Sequence, residues 1–354
     1  MGSLQIALIA SARFAIRQPF AGGLEAHTWA LAGGLRKRDH KVTVFAGAGC
    51  DPLLGVTQIA MRRPRISSAA RRDVSMTSQE WMDDHHGYLQ LMLALADGSA
   101  GTFDVVHNNC LHHLPVAMAR MLPAPMLTTL HTPPTPWLES AIQVGDCPAT
   151  FAAVSHHTAR AWAHQIPAAR VVRNGVDATV WRPGPGGGNA VWSGRLAPEK
   201  GADLAIAAAR KAGIPLDIVG PVSDPAFFGE HIEPALGNDV RYLGHLDHAA
   251  LAKVMGRAAV CLVTPRWDEP YGLVVAEALA CGTPVCGFAR GALPELVNED
   301  VAILVAPDDV AALAAALPAA RLLSRSRARK HAVEHCSHEA MIDGYERLYA
   351  ELAT

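Results

Sequence analysis

Two glutamates, Glu269 and Glu277, stand eight positions apart in the stretch Asp268-Glu269-Pro270-Tyr271-Gly272-Leu273-Val274-Val275-Ala276-Glu277. The preceding Val260-Cys261-Leu262-Val263-Thr264 reads as a buried strand, 265–271 as a loop, and Gly272 onward as a helix that stops at Gly282 before Pro284. Glu269 then lies ahead of the helix and Glu277 between one and two turns inside it. The first N–H groups of a helix lack intrahelical partners and carry the positive end of its dipole. The segment therefore suits an anionic, hydroxylated ligand, with a diphosphate on the N–H groups of Tyr271, Gly272 and Leu273 and hydroxyls within reach of the two acids. Glu277 is flanked by Val274, Val275, Ala276, Ala278 and Leu279. A carboxylate in such surroundings is costly alone, so a partner for it is expected.

Further residues fit the same picture. Arg195 and Lys200 follow the strand Asn189-Ala190-Val191-Trp192 on a loop that enters a helix. Gly22-Gly23 follows the first strand, where the missing side chains let backbone come close to a phosphate. His131 ends the strand Met126-Leu127-Thr128-Thr129-Leu130 and opens Thr132-Pro133-Pro134, at a strand mouth.

Taken together, these residues resemble the retaining glycosyltransferases of family 4, with their Glu-x7-Glu signature and two-domain GT-B fold. The resemblance extends to Gly194-Arg195-Leu196-Ala197-Pro198-Glu199-Lys200-Gly201, to Asn174-Gly175-Val176-Asp177, to Gly22-Gly23-Leu24-Glu25 and to Tyr345-Glu346-Arg347-Leu348-Tyr349, so it spans nearly the whole chain. It implies that Glu269 contacts the hydroxyls of the transferred sugar and that Glu277 accepts both ribose hydroxyls. Arg195 and Lys200, with Gly194, would stabilise the departing diphosphate, as positioned cations can. Gly22 and Gly23 would cover it from the opposite domain, and His131 would hydrogen-bond the donor sugar near its 6-hydroxyl. Val219, Gly220 and Leu246 match positions that pack on the nucleobase, and uracil is the base the family uses most.

The resemblance also implies retention of anomeric configuration. A front-face displacement, in which the leaving phosphate takes the acceptor proton, is preferred to a double displacement through Glu269. A non-hydrolysing sugar-nucleotide epimerase or a phosphorylase of the same architecture is an alternative, as is a non-catalytic nucleotide- or glycan-binding protein. No Asp-x-Asp sequence occurs, so no metal cofactor is expected. His107, His112, His113, His131, His156 and His157 fall at strand or loop ends, but their spacing matches no dedicated zinc motif. Gly184 to Gly188 follows no strand and lacks the closing glycine of a dinucleotide fingerprint.

Composition narrows the rest. A chain of 354 residues, half of them apolar, favours two domains. A formal charge of −2 gives no global reason to expect nucleic-acid binding. Seven cysteines without a Cys-x-x-Cys pair suggest reduced thiols in a cytoplasm. The apolar run Leu89–Ala96 is far short of the roughly 18 residues a spanning helix needs, and Leu4–Ala10 lacks the features of a signal peptide.

The elements that must position these residues alternate strand, loop and helix. Leu4–Ala10, Lys41–Ala46, Phe103–His107, Met126–Leu130 and Thr150–Ser155 predict one doubly wound parallel sheet. Asn189–Trp192, Leu216–Val219, Val240–Leu243, Ala259–Thr264, Val285–Phe288 and Ala302–Val305 predict a second. The expected fold is α/β, with two Rossmann-like domains over 1–182 and 189–338, a Pro/Gly linker at 183–188 and a cleft between the domains. By analogy the closing helix, 339–354, returns to the first domain. Arg62, Arg63 and Arg65, with Arg71 and Arg72, concentrate charge in a stretch of the acceptor-binding domain that reads as a loop. They read as a site for an anionic acceptor, as a patch touching an anionic membrane surface, or as a solvated basic loop. Arg321 to His335 reads as an exposed basic helix face.

Overall fold

The computed structural model describes residues 2–59, 65–144 and 147–353. Thirteen strands run through it: Gln5–Ile9 (β1), Lys41–Ala46 (β2), Thr57–Gln58 (β3), Val105–Asn108 (β4), Met126–Leu130 (β5), Thr150–Ala153 (β6), Arg170–Val171 (β7), Ala190–Ser193 (β8), Leu216–Val219 (β9), Val240–Tyr242 (β10), Cys261–Val263 (β11), Val285–Phe288 (β12) and Ala302–Val305 (β13). They form two parallel sheets, ordered β3-β2-β1-β4-β5-β6-β7 and β10-β9-β8-β11-β12-β13. Parallel strands demand crossovers, and the intervening helices cover both faces of each sheet.

Residue alternation explains the four cores. Along β1, Ile6 and Leu8 join one cluster with Leu31, Leu35, Tyr345 and Tyr349, while Ala7 and Ile9 face Tyr88, Leu91, Met92 and Trp162. The second sheet divides in the same way. Trp192, Ile218 and Leu262 point to one side, and Val191, Val219, Cys261 and Val263 to the other.

Chain order reverses between β1 and β4 in the first sheet and between β8 and β11 in the second. Neighbouring loops diverge to opposite faces at such a point, which opens a crevice at the strands' carboxyl ends. The loops leaving β1, β4, β8 and β11 all open into one cavity, so the two switch points face each other.

The helix His338–Leu352 lies on the first sheet although the chain has passed through the second domain before it. Its Tyr349 hydroxyl is 2.7 Å from His107 Nδ1, and the Tyr345 hydroxyl is 3.3 Å from Thr129 Oγ1. Asp39 turns the end of the helix Gly23–Lys37 at φ 65°. His40, next in the chain, accepts the Leu4 N–H on Nδ1 at 3.1 Å, so its Nε2–H donates to Glu346 at 2.9 Å.

One expectation needs correction. The helix Arg325–His335 is not a plain exposed basic face. Arg325 donates to the carbonyls of Ala258, Gly256 and Cys281, and Arg329 to those of Trp181, Ala280 and Ala178. In the Pro/Gly run the N–H groups of Gly184, Gly186 and Gly188 bond to the Cys281, Gly256 and Arg257 carbonyls of the second domain. No helix among the described residues is long and apolar enough to cross a membrane.

Candidate active site

The cavity between the domains has a volume of about 1110 Å3. Its floor on the second-domain side is the entry to the helix Leu273–Ala280. Gly272 caps that helix at φ 99° and ψ 61°, a conformation that side chains resist, and no side chain caps its first N–H groups. Tyr271, Gly272, Leu273 and Val274 all line the cavity, so the uncapped donors of an eight-residue helix open toward it.

Glu277 lines the same cavity from one turn further in. Burial pushes its carboxyl up to about 8. The expected partner is not there: among the described residues no hydrogen bond or ion pair reaches this carboxyl, which faces the cavity instead. Glu269 is placed differently. Its Oε1 pairs with Lys200 Nζ and accepts the Trp267 indole N–H at 2.9 Å. Lys200 also sits 4.8 Å over the Trp267 ring. The Glu269 carbonyl accepts the Ala292 N–H at 2.8 Å, which pins the loop.

Arg195 reaches Glu199 at 3.0 Å and stays about 40% exposed at the cavity edge. Val219 and Gly220 end β9 and, with Leu246, line the cavity's far corner. Gly220 has φ 143°, and a Cβ there would lie 1.8 Å from the Gly194 carbonyl oxygen, so the two loops can close this corner only with glycine at 220. From the other domain, a Cβ on Gly23 would stand 3.2 Å from Leu273 Cδ1, and one on Gly22 would stand 3.9 Å from Arg195 Cδ. The Gly22-Gly23 turn is therefore laid directly against the second domain's site loops.

His131 borders the cavity and its Nε2 lies 2.7 Å from Asn109 Oδ1. The amide oxygen can only accept, so the ring proton sits on Nε2 and Nδ1 is left as an acceptor. Burial, then His27 and His107, hold its pKa well below the ordinary value, so the ring is neutral. His27 packs edge-on to it at 4.9 Å, with both of its own nitrogens unpartnered, and burial lowers its pKa to about 3.

The domains meet through named bonds. Ser155 and Thr158 hydroxyls donate to the Pro270 carbonyl at 2.5 and 3.0 Å. His245 Nε2 lies 2.8 Å from the Phe20 carbonyl, and the His248 N–H donates to Gln18 Oε1 at 2.8 Å.

The cavity thus gathers Gly22, Gly23, His131, Gly194, Arg195, Lys200, Val219, Gly220, Leu246, Glu269, Tyr271, Gly272, Leu273 and Glu277. Arg62 and Arg63 lie outside the described residues. Arg65 is exposed and away from the cavity, which on this side is lined by Arg13 and Arg17 instead. Sequence reasoning missed Glu25, a buried cavity acid whose pKa burial raises, and also Trp267 and Asn109. Glu25 sits two residues beyond the glycine turn and Asn109 directly follows β4, so position after a switch-point strand was the available signal. His85, His112 and His113 pack ring against ring, and His131 against His27, but no group of three or more potential ligands is arranged to hold a metal ion among the described residues.

Comparison with known proteins agrees with this architecture. Residues 21–180 match the model of Glycosyltransferase Family 4, and residues 188–335 match that of Glycosyl transferases group 1. A glycogen synthase of Mycobacterium tuberculosis is 32% identical over 248 residues, which cover 60% of this chain and 59% of that relative. Sucrose-phosphate synthase from Thermosynechococcus elongatus superposes with a TM-score of 0.77 at 21% identity over 98% of both chains. HepE of Anabaena, solved in complex with UDP-glucose, gives a TM-score of 0.74 at 17% identity over 99% of this chain and 100% of that one. With one family model on each domain and the opposed switch points between them, the chain belongs to the GT-B glycosyltransferases of the family 4 kind.

Proposed function

We propose that the protein moves a hexose from a nucleoside-diphosphate donor, a UDP-sugar, to a hydroxyl of an acceptor, with retention of configuration and without a metal. The observation that carries this reading is the uncapped helix N-terminus at Gly272 flanked by two acids in unlike surroundings. The helix end takes the diphosphate, and Arg195 and Lys200 supply positive charge as the phosphate departs. Glu277, raised toward neutrality and without a partner among the described residues, takes the ribose hydroxyls. Glu269, held by Lys200 and Trp267, takes the sugar hydroxyls. His131, neutral with an open Nδ1, accepts a sugar hydroxyl proton. The UDP-glucose seen with the Anabaena relative supports uracil and glucose as first candidates. The missing Asp-x-Asp supports metal independence, with the cations above carrying the charge instead. The cysteines, unpaired in the structure, support a reducing cytoplasm as the site of action.

The test is thermal stabilisation of wild-type and Glu277→Ala protein by UDP, GDP and ADP, with and without EDTA. A ligand that binds only the folded state raises its stability by mass action. A rise with UDP that survives EDTA and disappears in the variant is expected. No rise with any nucleotide would refute the sugar-nucleotide reading.

A further inference from the structure

One wall of the cleft holds none of the residues assigned above to the donor. Asp84, on the helix Gln79–Ala96, is 4% exposed and lines the cavity beside Tyr88 and His112. Its Oδ2 pairs with Arg13, but its Oδ1 has no hydrogen-bond partner among the described residues. A buried acceptor left unpaired is costly, by about 1–3 kcal/mol and more for a charged group, so this oxygen is strongly disposed to take a ligand's hydroxyl. His112 accepts the Leu114 N–H on Nδ1 at 3.2 Å, which places its own proton on Nε2. Burial and the neighbouring His113 keep that ring neutral, with a pKa of about 3. Its Nε2–H makes no hydrogen bond among the described residues, so an acceptor and a donor stand on the same wall.

An aromatic stack leads outward from this pair. Tyr88 and His112 lie 4.6 Å apart, His112 and His113 4.4 Å, and His113 and Trp137 4.9 Å, with interplanar angles of 24°, 22° and 27°. The outer ring, Trp137, is 61% exposed, and Trp81 lies beside it at 6.2 Å. Rings cover apolar area and offer a negative face to C–H groups. A sugar or cyclitol has the complementary surface, with C–H faces and a hydroxyl rim.

We propose that this wall is the acceptor subsite and that it takes a neutral polyhydroxylated ring, with one hydroxyl donating to Asp84 Oδ1, another accepting from His112 Nε2–H, and the C–H face lying along the stack that ends at Trp137. The assignment rests on the transferase reading above, since it supplies the other half of the same cleft. Arg13 is already engaged by Asp84 while Arg17 also lines this side of the cavity, so an anionic acceptor is the competing fit that the test must separate.

The test is saturation-transfer NMR of the whole protein with methyl α-glucoside, maltose and myo-inositol, in the presence of UDP. Wild type, Asp84→Asn and Trp137→Ala are compared, with the UDP-induced thermal shift recorded for each. Trp137 is exposed, so its variant stays folded even if removing the Asp84 charge disturbs Arg13. The expected result is transfer to the ring C–H protons of at least one carbohydrate, cut at least threefold in both variants while the UDP shift is kept. A carbohydrate signal indifferent to both variants overturns the assignment. So does silence from all three carbohydrates in a wild-type protein that UDP still stabilises, and in that case the transferase reading stands. Glucose 6-phosphate or 4-nitrophenol giving a Trp137-dependent signal where the neutral rings give none would also overturn it. If UDP stabilises nothing, the transferase reading fails, and the acceptor role falls with it.

Discussion

Glu269 and Glu277 are the same residue type in one short segment, yet they answer to different surroundings. Glu269 has a cation and an indole N–H on its carboxylate. Glu277 has neither, and burial lifts it to about 8. Its folded-state pKa thus lies above the unfolded value, so the folded protein holds the extra proton between roughly pH 4.5 and 8. Stability from this group is fully present below that window and is lost as pH rises through it, at a rate of about 1.4 kcal/mol per pH unit. Glu277→Gln should flatten the wild-type decline across that window, measured by chemical denaturation. Ribose hydroxyls donating to the carboxylate favour its charged form, so UDP binding at pH 7 should release more protons from the wild type than from the Gln variant, in which only the phosphate can contribute. Calorimetry in two buffers of different ionisation enthalpy reads this directly, and equal proton release from both proteins would remove Glu277 from the ribose site. The sequence made Glu277's apolar flanks legible, but not its lack of a partner, because that depends on which side chains other loops bring to the cavity. The unpaired Asp84 oxygen was hidden for the same reason.

At the scale of elements, legibility followed hydrophobic pattern. Strands buried on both faces read as continuous apolar runs, and Lys41–Ala46, Met126–Leu130, Leu216–Val219, Val285–Phe288 and Ala302–Val305 occur with the bounds read from sequence. Thr57–Gln58 and Arg170–Val171 escaped notice, since two polar or half-exposed edge residues leave no periodic signal. The helix Gln79–Ala96 was obscured by Asp83 and Asp84 on its buried face, and Arg325 and Arg329 looked solvated because charge pattern says nothing about carbonyls waiting to be capped. The helix start at Gly272 offers a direct test. A left-handed residue with a side chain costs about 1–2 kcal/mol, and a Cβ here would also press on Leu293 at 3.3 Å. Gly272→Ala should therefore lower Tm by several degrees and shrink the increment that UDP adds, because the N–H groups that follow must turn away. A variant that melts and responds to UDP like wild type would show that the left-handed start is dispensable.

The whole molecule places titratable groups of opposite sense in and around one cleft. His27, His107 and His112 have pKa values of about 3, His248 of about 4, and His131 well below normal, each chiefly through burial. Depressed histidines contribute stability that is present above roughly pH 6.5 and is lost as pH falls toward the folded values. Glu277 and Glu25 work in the opposite direction over part of that range, but two acids face five imidazoles, so acidification destabilises. The free energy of unfolding should fall steeply from pH 6.5 to 5, and His27→Phe should reduce that slope by about 1.4 kcal/mol per pH unit. A slope unchanged by the substitution would mean that His27 takes up its proton without unfolding. The closing helix has a consequence of another kind. Met341, Ile342, Tyr345 and Tyr349 complete the first domain's core, so a ribosome releases that domain's sheet long before it releases the residues that cover it. During translation the second domain can close its own core first, while the earlier-made domain waits with apolar surface uncovered. A nascent chain stalled before residue 338 should therefore be a ready client for chaperones.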